Sequence, residues 1–475
     1  MSSHPLFFLY RRLPVWLQAR ACWLYGYNFA RKTYDQQFFE KLEWLLESER
    51  WSAGEIEAYQ NEKLENLIRE AYENVQYYRE VMDSLKLRPS DIKNIGDLPK
   101  LPTLKKENIR KNQEKFISKK TDRRNLMFRH TSGTTGTGLH FYVNRETNTL
   151  QYAVWWRHRN RFGMKNDSWH VNFRGNLFVP IDQNVPPYWR WITPLREVHI
   201  NMQHITPSKI KYIIDFLNER YFEFYTAFPS IVHILAVTAM ENGLSLKTPP
   251  RVIFTGAENV LGFQRRCLEK FTGAIIADQY GFSEACANAS QCEQGVYHED
   301  FELGIMECVE SESQPDGGVW GKIVCTGLQG CDFPFIRYEI RDMAIWEDPH
   351  ANCSCGRHSK VIRRIEGRED DYVVTPEGQR TMRFDYIFKD VENCLESQIV
   401  QKEPGSITIF MVKSGAYAEK DEKFIRNEIK KWISPTLDVE FVYVPEIERE
   451  PNGKFRAVKS SLYPADVGSA LRVDS

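Results

Sequence analysis

Residues 131–138, Thr131-Ser132-Gly133-Thr134-Thr135-Gly136-Thr137-Gly138, alternate hydroxyl side chains with glycines. Glycine lets successive backbone N–H groups converge on one point, and the hydroxyls add donors, so the composition suits a phosphate-bearing ligand. A polar hairpin loop is the other reading of the same residues. Gly138 is followed by Leu139 rather than by a Lys-Ser/Thr pair, which disfavours a P-loop NTPase. Two candidate strands end in polar residues, Ile253-Phe254-Thr255-Gly256-Ala257-Glu258 and Ile276-Ala277-Asp278-Gln279-Tyr280-Gly281-Phe282-Ser283-Glu284. Open α/β sheets bind ligands at such ends. Tyr280 and Glu284 suit a nucleotide with Mg²⁺, as a stacking ring and a metal-ready carboxylate. Singly, they read as core filler and solvated charge. Arg341-Asp342 offers a carboxylate for ribose hydroxyls, or a surface ion pair. Lys454, on the Pro451-Asn452-Gly453 turn, can project far from its domain or stay a solvated turn residue.

Cys292, His298, Cys353 and Cys355 supply three thiolates and one imidazole, the donor set of a four-coordinate structural zinc, with reduced free thiols as the alternative. All four positions would be filled, leaving none open for catalysis. The other seven of the ten cysteines, with Cys22 the earliest, are expected as small buried hydrophobes. No disulfide scaffold is expected in a chain of this length, which points to a reducing, cytoplasmic setting.

The elements that must position these groups follow from periodicity. Between Tyr34 and Met82, Leu64, Leu67, Ile68, Ala71, Val75 and Tyr78 recur at helical spacing. Pro89, Pro99 and Pro102 mark a connector, and Thr103-Leu104-Lys105-Lys106-Glu107 predicts a capped helix start. Helices over 148–161, 207–220, 229–242 and 260–271 alternate with strands over 169–173, 221–225, 251–254 and 274–277, the pattern of a parallel α/β sheet. Strands are predicted over 319–325, 333–338 and 343–347, with Arg341-Asp342 between the last two. The charged, glycine-containing run Gly367-Arg368-Glu369-Asp370-Asp371 marks a boundary. Beyond it, helices over 384–395 and 417–432 and strands over 406–412 and 439–444 predict a small α+β lid. The expected regions are thus a helical lead-in (1–115), a core (116–369) and a C-terminal lid (370–475).

At 475 residues more than one domain is expected. Lys plus Arg total 63 against 64 for Asp plus Glu, so the net charge of −1 gives no pull toward nucleic acid. The basic, aromatic N-terminus is too interrupted by Arg11, Arg12 and Arg20 to span a membrane, and docking onto the globular body is favoured over lying on a membrane surface. Trp155, Trp156, Arg174, Tyr225, Phe228, Pro229 and Ser230 could line an acid pocket, and Arg157 and Arg174 hint at a second charge on the acid or acceptor.

In order along the chain, Tyr77-Tyr78-Arg79, the 131–138 loop, Thr255 to Glu258, Tyr280 to Glu284, Arg341-Asp342, Gly367 to Asp371 and Pro451 to Lys454 resemble the acyl-adenylate-forming superfamily. The nearest resemblance is to its phenylacetate-CoA ligase-like branch, which includes CapK-like members. The resemblance implies a large N-terminal α/β domain with a small lid. It also implies a two-step reaction with ATP: a carboxylate attacks the α-phosphate, pyrophosphate leaves, and a thiol, hydroxyl or amine then captures the acyl-AMP. Thr131, Ser132, Gly133, Thr134, Thr135 and Gly136 would cradle the β,γ-phosphates, and Glu284 would hold Mg²⁺. Tyr280, Gly281 and Ser283 would line the nucleotide site, with Ala257 and Glu258 at the adenine rim. Asp342 would take the ribose hydroxyls with Arg368, and Lys454 would bridge carboxylate and α-phosphate after the lid closes about Asp370-Asp371. Members of this branch also hold zinc through a Cys/His set like the one here.

Two departures stand out. The family's Tyr-Arg-Thr-Gly-Asp run is here Tyr338-Glu339-Ile340-Arg341-Asp342, and Thr375-Pro376-Glu377-Gly378 replaces a glycine-rich turn of the thiol channel. The acceptor is therefore left as CoA, a carrier protein or a polysaccharide sugar. A catalytically idle, zinc-stabilised scaffold protein and a nucleotidyltransferase that keeps AMP on its product are the alternatives.

Overall fold

A computed structural model describes residues 9–130, 139–173, 178–314, 317–347, 353–368, 373–376, 380–381, 387–388, 391, 393–449 and 455–462. Of these, the side chains of 368, 380, 381, 431 and 432 are not described. Among the described residues, the long helices at the start are α1 (Val15–Thr33), α2 (Gln36–Ser48), α3 (Ala53–Asn74) and α4 (Gln76–Ser84). Ser52 caps α3 reciprocally with Glu55, whose carboxylate takes the Ser52 N–H at 2.8 Å. The predicted stripe Leu64, Leu67, Ile68, Ala71, Val75 and Tyr78 is the buried face of α3 and α4.

After a connector come α5 (Lys106–Asn112), β1 (Leu126–His130), β2 (His140–Asn144), α6 (Arg145–Arg161), β3 (His170–Phe173), β4 (Trp189–Ile192) and β5 (Glu197–Ile200). Then follow α7 (Ile210–Glu219), β6 (Phe224–Ala227), α8 (Pro229–Glu241), β7 (Val252–Gly256), α9 (Gly262–Thr272) and β8 (Ile275–Gly281). A run of strands continues with β9 (Asn288–Gln291), β10 (Tyr297–Glu299), β11 (Gly304–Ser313), β12 (Val319–Gly327), β13 (Tyr338–Trp346), β14 (Val361–Arg368), β15 (Val373–Val374) and β16 (Arg380–Thr381). The C-terminal elements are β17 (Cys394–Gln401), β18 (Ser406–Lys413), α10 (Glu419–Trp432), β19 (Asp438–Tyr443) and β20 (Val458–Ser460).

The chain groups into two compact units, residues 1–27, 167–276 and 367–475 in one, and 28–166 and 277–366 in the other. In the first, β7, β6, β3 and β5 run parallel, with β4 antiparallel at the edge. One face packs Val171, Tyr225 and Ile253 onto α7 and α8. Its C-terminal module is a four-stranded sheet ordered β19-β18-β17-β20 with α10, and Phe263 of α9 joins that module's core. Tyr10 Oη donates to the Phe178 carbonyl at 2.6 Å, so the N-terminal segment docks within this unit. No described helix is long and apolar enough to cross a membrane.

In the second unit the strand order is β11-β12-β13-β14-β10-β9-β8, and the β1–β2 hairpin forms a separate pair. The architecture is α/β, with a multi-stranded mixed sheet, surrounding helices and a small C-terminal α+β module.

Three local expectations need correction. The helix expected to start within residues 103–107 does start there, at Lys106, but without a side-chain cap. Leu104 N–H donates to the Arg337 carbonyl at 2.8 Å and its carbonyl accepts the Glu339 N–H at 2.9 Å, so the connector lies along β13 like a short extra strand. Backbone pairing there outweighs the cap signal, and α5 begins at Lys106 with Asn108 Oδ1 taking the Lys105 N–H. Residues 333–337 are not a strand, and Arg341-Asp342 does not lie between two strands. Arg341 and Asp342 both belong to the single strand β13, inside a bulge where the register with β12 slips between Val324–Glu339 and Lys322–Met343. Finally, Cys394 and Leu395 open strand β17 rather than closing a helix.

Candidate functional site

The β13 bulge decides where Asp342 goes. Arg341 takes φ +71°, a left-handed conformation uncommon for a side-chain-bearing residue, and the strand re-aims there. Asp342 Oδ2 accepts the Tyr280 hydroxyl at 2.6 Å, joining the end of β8 to the middle of β13. Withdrawal from water, then the Asp342 charge, push the Tyr280 phenol well above its ordinary value, so it stays a donor.

Four residues on, Glu284 is 5% exposed, and its Oε1 accepts the Tyr338 hydroxyl at 2.8 Å. Tyr338 is the first residue of β13 and fully buried. The helical lead-in fixes that start: Tyr78 Oη donates to the Pro334 carbonyl at 2.8 Å and accepts the Ile336 N–H at 3.0 Å. The loop between Tyr280 and Glu284 is tied from outside. Gln151 of α6 donates to the Phe282 carbonyl at 3.1 Å, and Arg129 donates to the Ser283 carbonyl at 3.2 Å. Glu284 borders a cavity also lined by Asn144, Thr147, Cys286, Asp332 and Phe333. A buried carboxylate oriented by one hydroxyl fits Mg²⁺, which usually binds one or two carboxylates plus substrate phosphates.

The residues 131–136, expected to hold phosphate, lie outside the described residues, as do Lys454, Arg174 and the Arg368 side chain. What surrounds the loop is described: His130 pairs with His140 at the mouth of the β1–β2 hairpin, so both ends of the loop are held at one ladder rung. Arg129, which anchors Ser283, is the residue just inside that rung.

The Cys/His set comes together. Cys292 follows β9, His298 lies in β10, and Cys353 and Cys355 sit in the turn before β14. Their ligand atoms all lie within 4.8 Å of one another, the only such group among the described residues. Cys292 Sγ and Cys353 Sγ stand 3.8 Å apart, and Cys355 Sγ is 3.2 Å from His298 Nε2. Gly295 (φ +79°) and Gly356 (φ +78°) supply the left-handed turns that bring each half round. Thiolates about 2.3 Å from a tetrahedral ion are themselves about 3.8 Å apart, so the donor set fits zinc.

In the other unit, Ala257 (φ +67°) turns the chain after β7, and the half-buried Glu258 accepts the Ser230 N–H at 3.2 Å and the Phe455 N–H at 2.7 Å. Withdrawal from water pushes the Glu258 carboxyl up, and these N–H donors pull it back. Several residues offered as an acid pocket are used otherwise. Arg157 does not face a ligand: it is 1% exposed and donates to Asp300 at 2.7 Å and Glu302 at 2.5 Å. Tyr225 is fully buried in the sheet core. Trp156 donates to Tyr34 at 3.2 Å, and Ser230 Oγ accepts from Arg449 at 2.7 Å. Trp155 is half-buried, and Phe228 and Pro229 open α8. Cys267, Cys308 and Cys331, expected buried, are only partly so.

Sequence reasoning gave no role to Tyr338, Arg129, Gln151 or Arg449. Only Tyr338 carried a signal, as the tyrosine that opens the displaced Tyr-Glu-Ile-Arg-Asp run.

A family model described as the CapK C-terminal domain matches residues 373–461. Protein CapK of Staphylococcus aureus is 26% identical over 454 residues, covering 94% of this chain and 98% of that protein. A phenylacetate-coenzyme A ligase of Aromatoleum evansii is 26% identical over 338 residues, covering 69% of this chain and 73% of the ligase. A crystal structure of 2-hydroxyisobutyryl-CoA ligase in the postadenylation state, in complex with R3-HIB-AMP, aligns with a TM-score of 0.66 at 17% identity. That alignment covers 89% of this chain and 92% of the ligase, a likeness of fold.

Proposed function

Because the chain belongs to the acyl-adenylate-forming superfamily, in its CapK-like and phenylacetate-CoA ligase-like branch, we propose that it is an AMP-forming acid ligase that activates a small carboxylic acid with ATP. An oxygen of the acid attacks the α-phosphorus, the bond to pyrophosphate breaks, and an acyl-AMP forms. In the second step the acceptor attacks the acyl carbon and AMP leaves. CoA is the acceptor most in keeping with the relatives' names; a carrier protein or a sugar would use the same chemistry.

The observation that carries this reading is the pairing of Tyr280 with Asp342 and of Glu284 with Tyr338. Two motifs some sixty residues apart are thereby held as one constellation in one unit. In our reading Asp342 takes the ribose hydroxyls, with Tyr280 fixing its carboxylate, and Arg368 assists. Glu284 holds Mg²⁺, which when bound neutralises phosphate charge. Residues 131–136 cradle the β,γ-phosphates, with Gly281 and Ser283 alongside. Lys454 neutralises the charge that builds as carboxylate and α-phosphate join. Residues 1–115 and 116–369 act as lead-in and core and 370–475 as a lid, and Cys292, His298, Cys353 and Cys355 bind a structural zinc.

Acid-dependent exchange of labelled pyrophosphate into ATP, over aryl, fatty, hydroxy and amino acids, tests the reading. Exchange is expected with one acid class and is expected to collapse in Lys454→Ala. A folded wild-type protein that binds ATP but exchanges with no acid would overturn it.

A further inference from the structure

Glu258 stands in the stretch expected to edge the adenine, yet its carboxylate is committed elsewhere. One oxygen accepts the N–H of Phe455 at 2.7 Å, the residue directly after Lys454. The other accepts the N–H of Ser230 at 3.2 Å, in the first turn of α8, where unpaired helix N–H groups favour an anion. Ser230 in turn accepts, through Oγ, a hydrogen bond from Arg449 at 2.7 Å, and Arg449 pairs with Glu396 of β17. The Arg449 guanidinium also lies 4.8 Å from the centre of the Phe455 ring.

The two residues that flank 450–454, Arg449 and Phe455, are therefore bound to one corner of the fold, the turn after β7 and the start of α8. The left-handed Ala257 just before Glu258 holds the corner in shape.

We propose that Glu258 is a positioning residue for the adenylation step, holding Phe455, the neighbour of Lys454, through its paired hydrogen bonds to Phe455 and Ser230. The inference rests on the adenylation reading above. Its requirement is specific: the first half-reaction, which uses Lys454, depends on Glu258, whereas binding of ATP does not.

The test uses full-length Glu258→Ala and Glu258→Gln, with Arg449→Met as a second break in the same corner. In pyrophosphate exchange with the best acid of the panel, kcat is expected to fall at least about tenfold in Glu258→Ala, the scale of a hydrogen bond to a charged group. KM for ATP is expected to stay within about twofold, Glu258→Gln to fall less, and Arg449→Met to lower kcat in the same way. Hydrogen–deuterium exchange, which needs no substrate, is expected to show the Phe455–Ser460 amides exchanging at least about tenfold faster in Glu258→Ala, with β18 unchanged as the control for folding.

A raised KM for ATP with kcat intact would overturn the proposal and return Glu258 to the nucleotide. Unchanged protection at Phe455 would overturn it as well. Should the wild type exchange with no acid, the adenylation reading fails, and the amide measurement still decides whether Glu258 holds Phe455.

Discussion

Replacing Cys353 with serine removes one donor from the Cys292–His298–Cys353–Cys355 set, and its cost can be worked from the chain itself. Cys292 and Cys353 are 61 residues apart in sequence, while their sulfurs are 3.8 Å apart. An ion that joins them closes that loop in the unfolded chain as a disulfide would, which by chain entropy is worth about 4 kcal/mol. Serine is too hard a donor to hold zinc as thiolate does, so most of that stabilisation should go with it. The assay is urea unfolding followed by tryptophan fluorescence, on protein grown with zinc and measured for metal per chain. Wild type should carry about one zinc per chain. Cys353→Ser should carry little, and a chelator should bring the wild type to the variant's midpoint. Zinc release should increase as pH falls, since thiolate and imidazole take protons when the metal leaves. Zinc well below one per chain in the wild type, or an unmoved urea midpoint in Cys353→Ser, would refute the reasoning.

Arg157→Met should destabilise the protein by about 3–5 kcal/mol, because it strands the carboxylates of Asp300 and Glu302 in the interior. It should not change which acid is activated, as read by urea unfolding beside the acid panel. Burial pushes the Asp300 carboxyl up, but Arg157 and Arg161, with Ser290 and Asn288, hold it below its ordinary value. Its contribution is thus present above the unfolded carboxylate value and lost as pH falls through the lowered folded one, so the gap between wild type and Arg157→Met should narrow in acid. Tyr338→Phe removes the donor that orients Glu284 and should raise the Mg²⁺ needed for half-maximal exchange about tenfold, measured by magnesium titration. Asp342→Ala should raise KM for ATP and leave the enzyme nearly indifferent between ATP and 3′-deoxy-ATP, whereas the wild type should discriminate by about tenfold or more.

The parts that could be read from the residues are those whose signal is local. The buried stripe of α3 and α4 shows at its own spacing, the alternation of strand and helix from β3 to β8 shows in its β-branched and apolar runs, and the Cys/His set shows in its donor types. The parts that could not be read are set by partners distant in sequence. Arg157 shows in the sequence as a charge on a helix, and nothing local says that Asp300 and Glu302 will neutralise it; their meeting depends on packing α6 beside β10 and its following turn. The strand β13 was divided in expectation because Glu339, Arg341 and Asp342 interrupt its apolar run, and a bulge is how a continuous strand accommodates such residues.

That bulge also bears on the altered motif. Tyr338-Glu339-Ile340-Arg341-Asp342 lacks the glycine of the family's run, yet a left-handed residue is still needed where the strand re-aims. Arg341 takes it at φ +71°, and the aspartate still receives the Tyr280 hydroxyl. A β-branched or arginine side chain at φ > 0 carries a strain that glycine avoids. The residue before the aspartate is therefore arginine rather than glycine, in a left-handed conformation that favours glycine. Arg341→Gly should accordingly be tolerated, with unfolding midpoint unchanged or raised and the ATP KM close to wild type. Arg341→Val should lower both stability and ATP affinity, because a branched side chain disfavours that conformation most. If Arg341→Gly instead raised the ATP KM tenfold while Arg341→Val did not, the arginine side chain rather than the bulge would be what serves Asp342, and the account of the departure from the family's motif would fail.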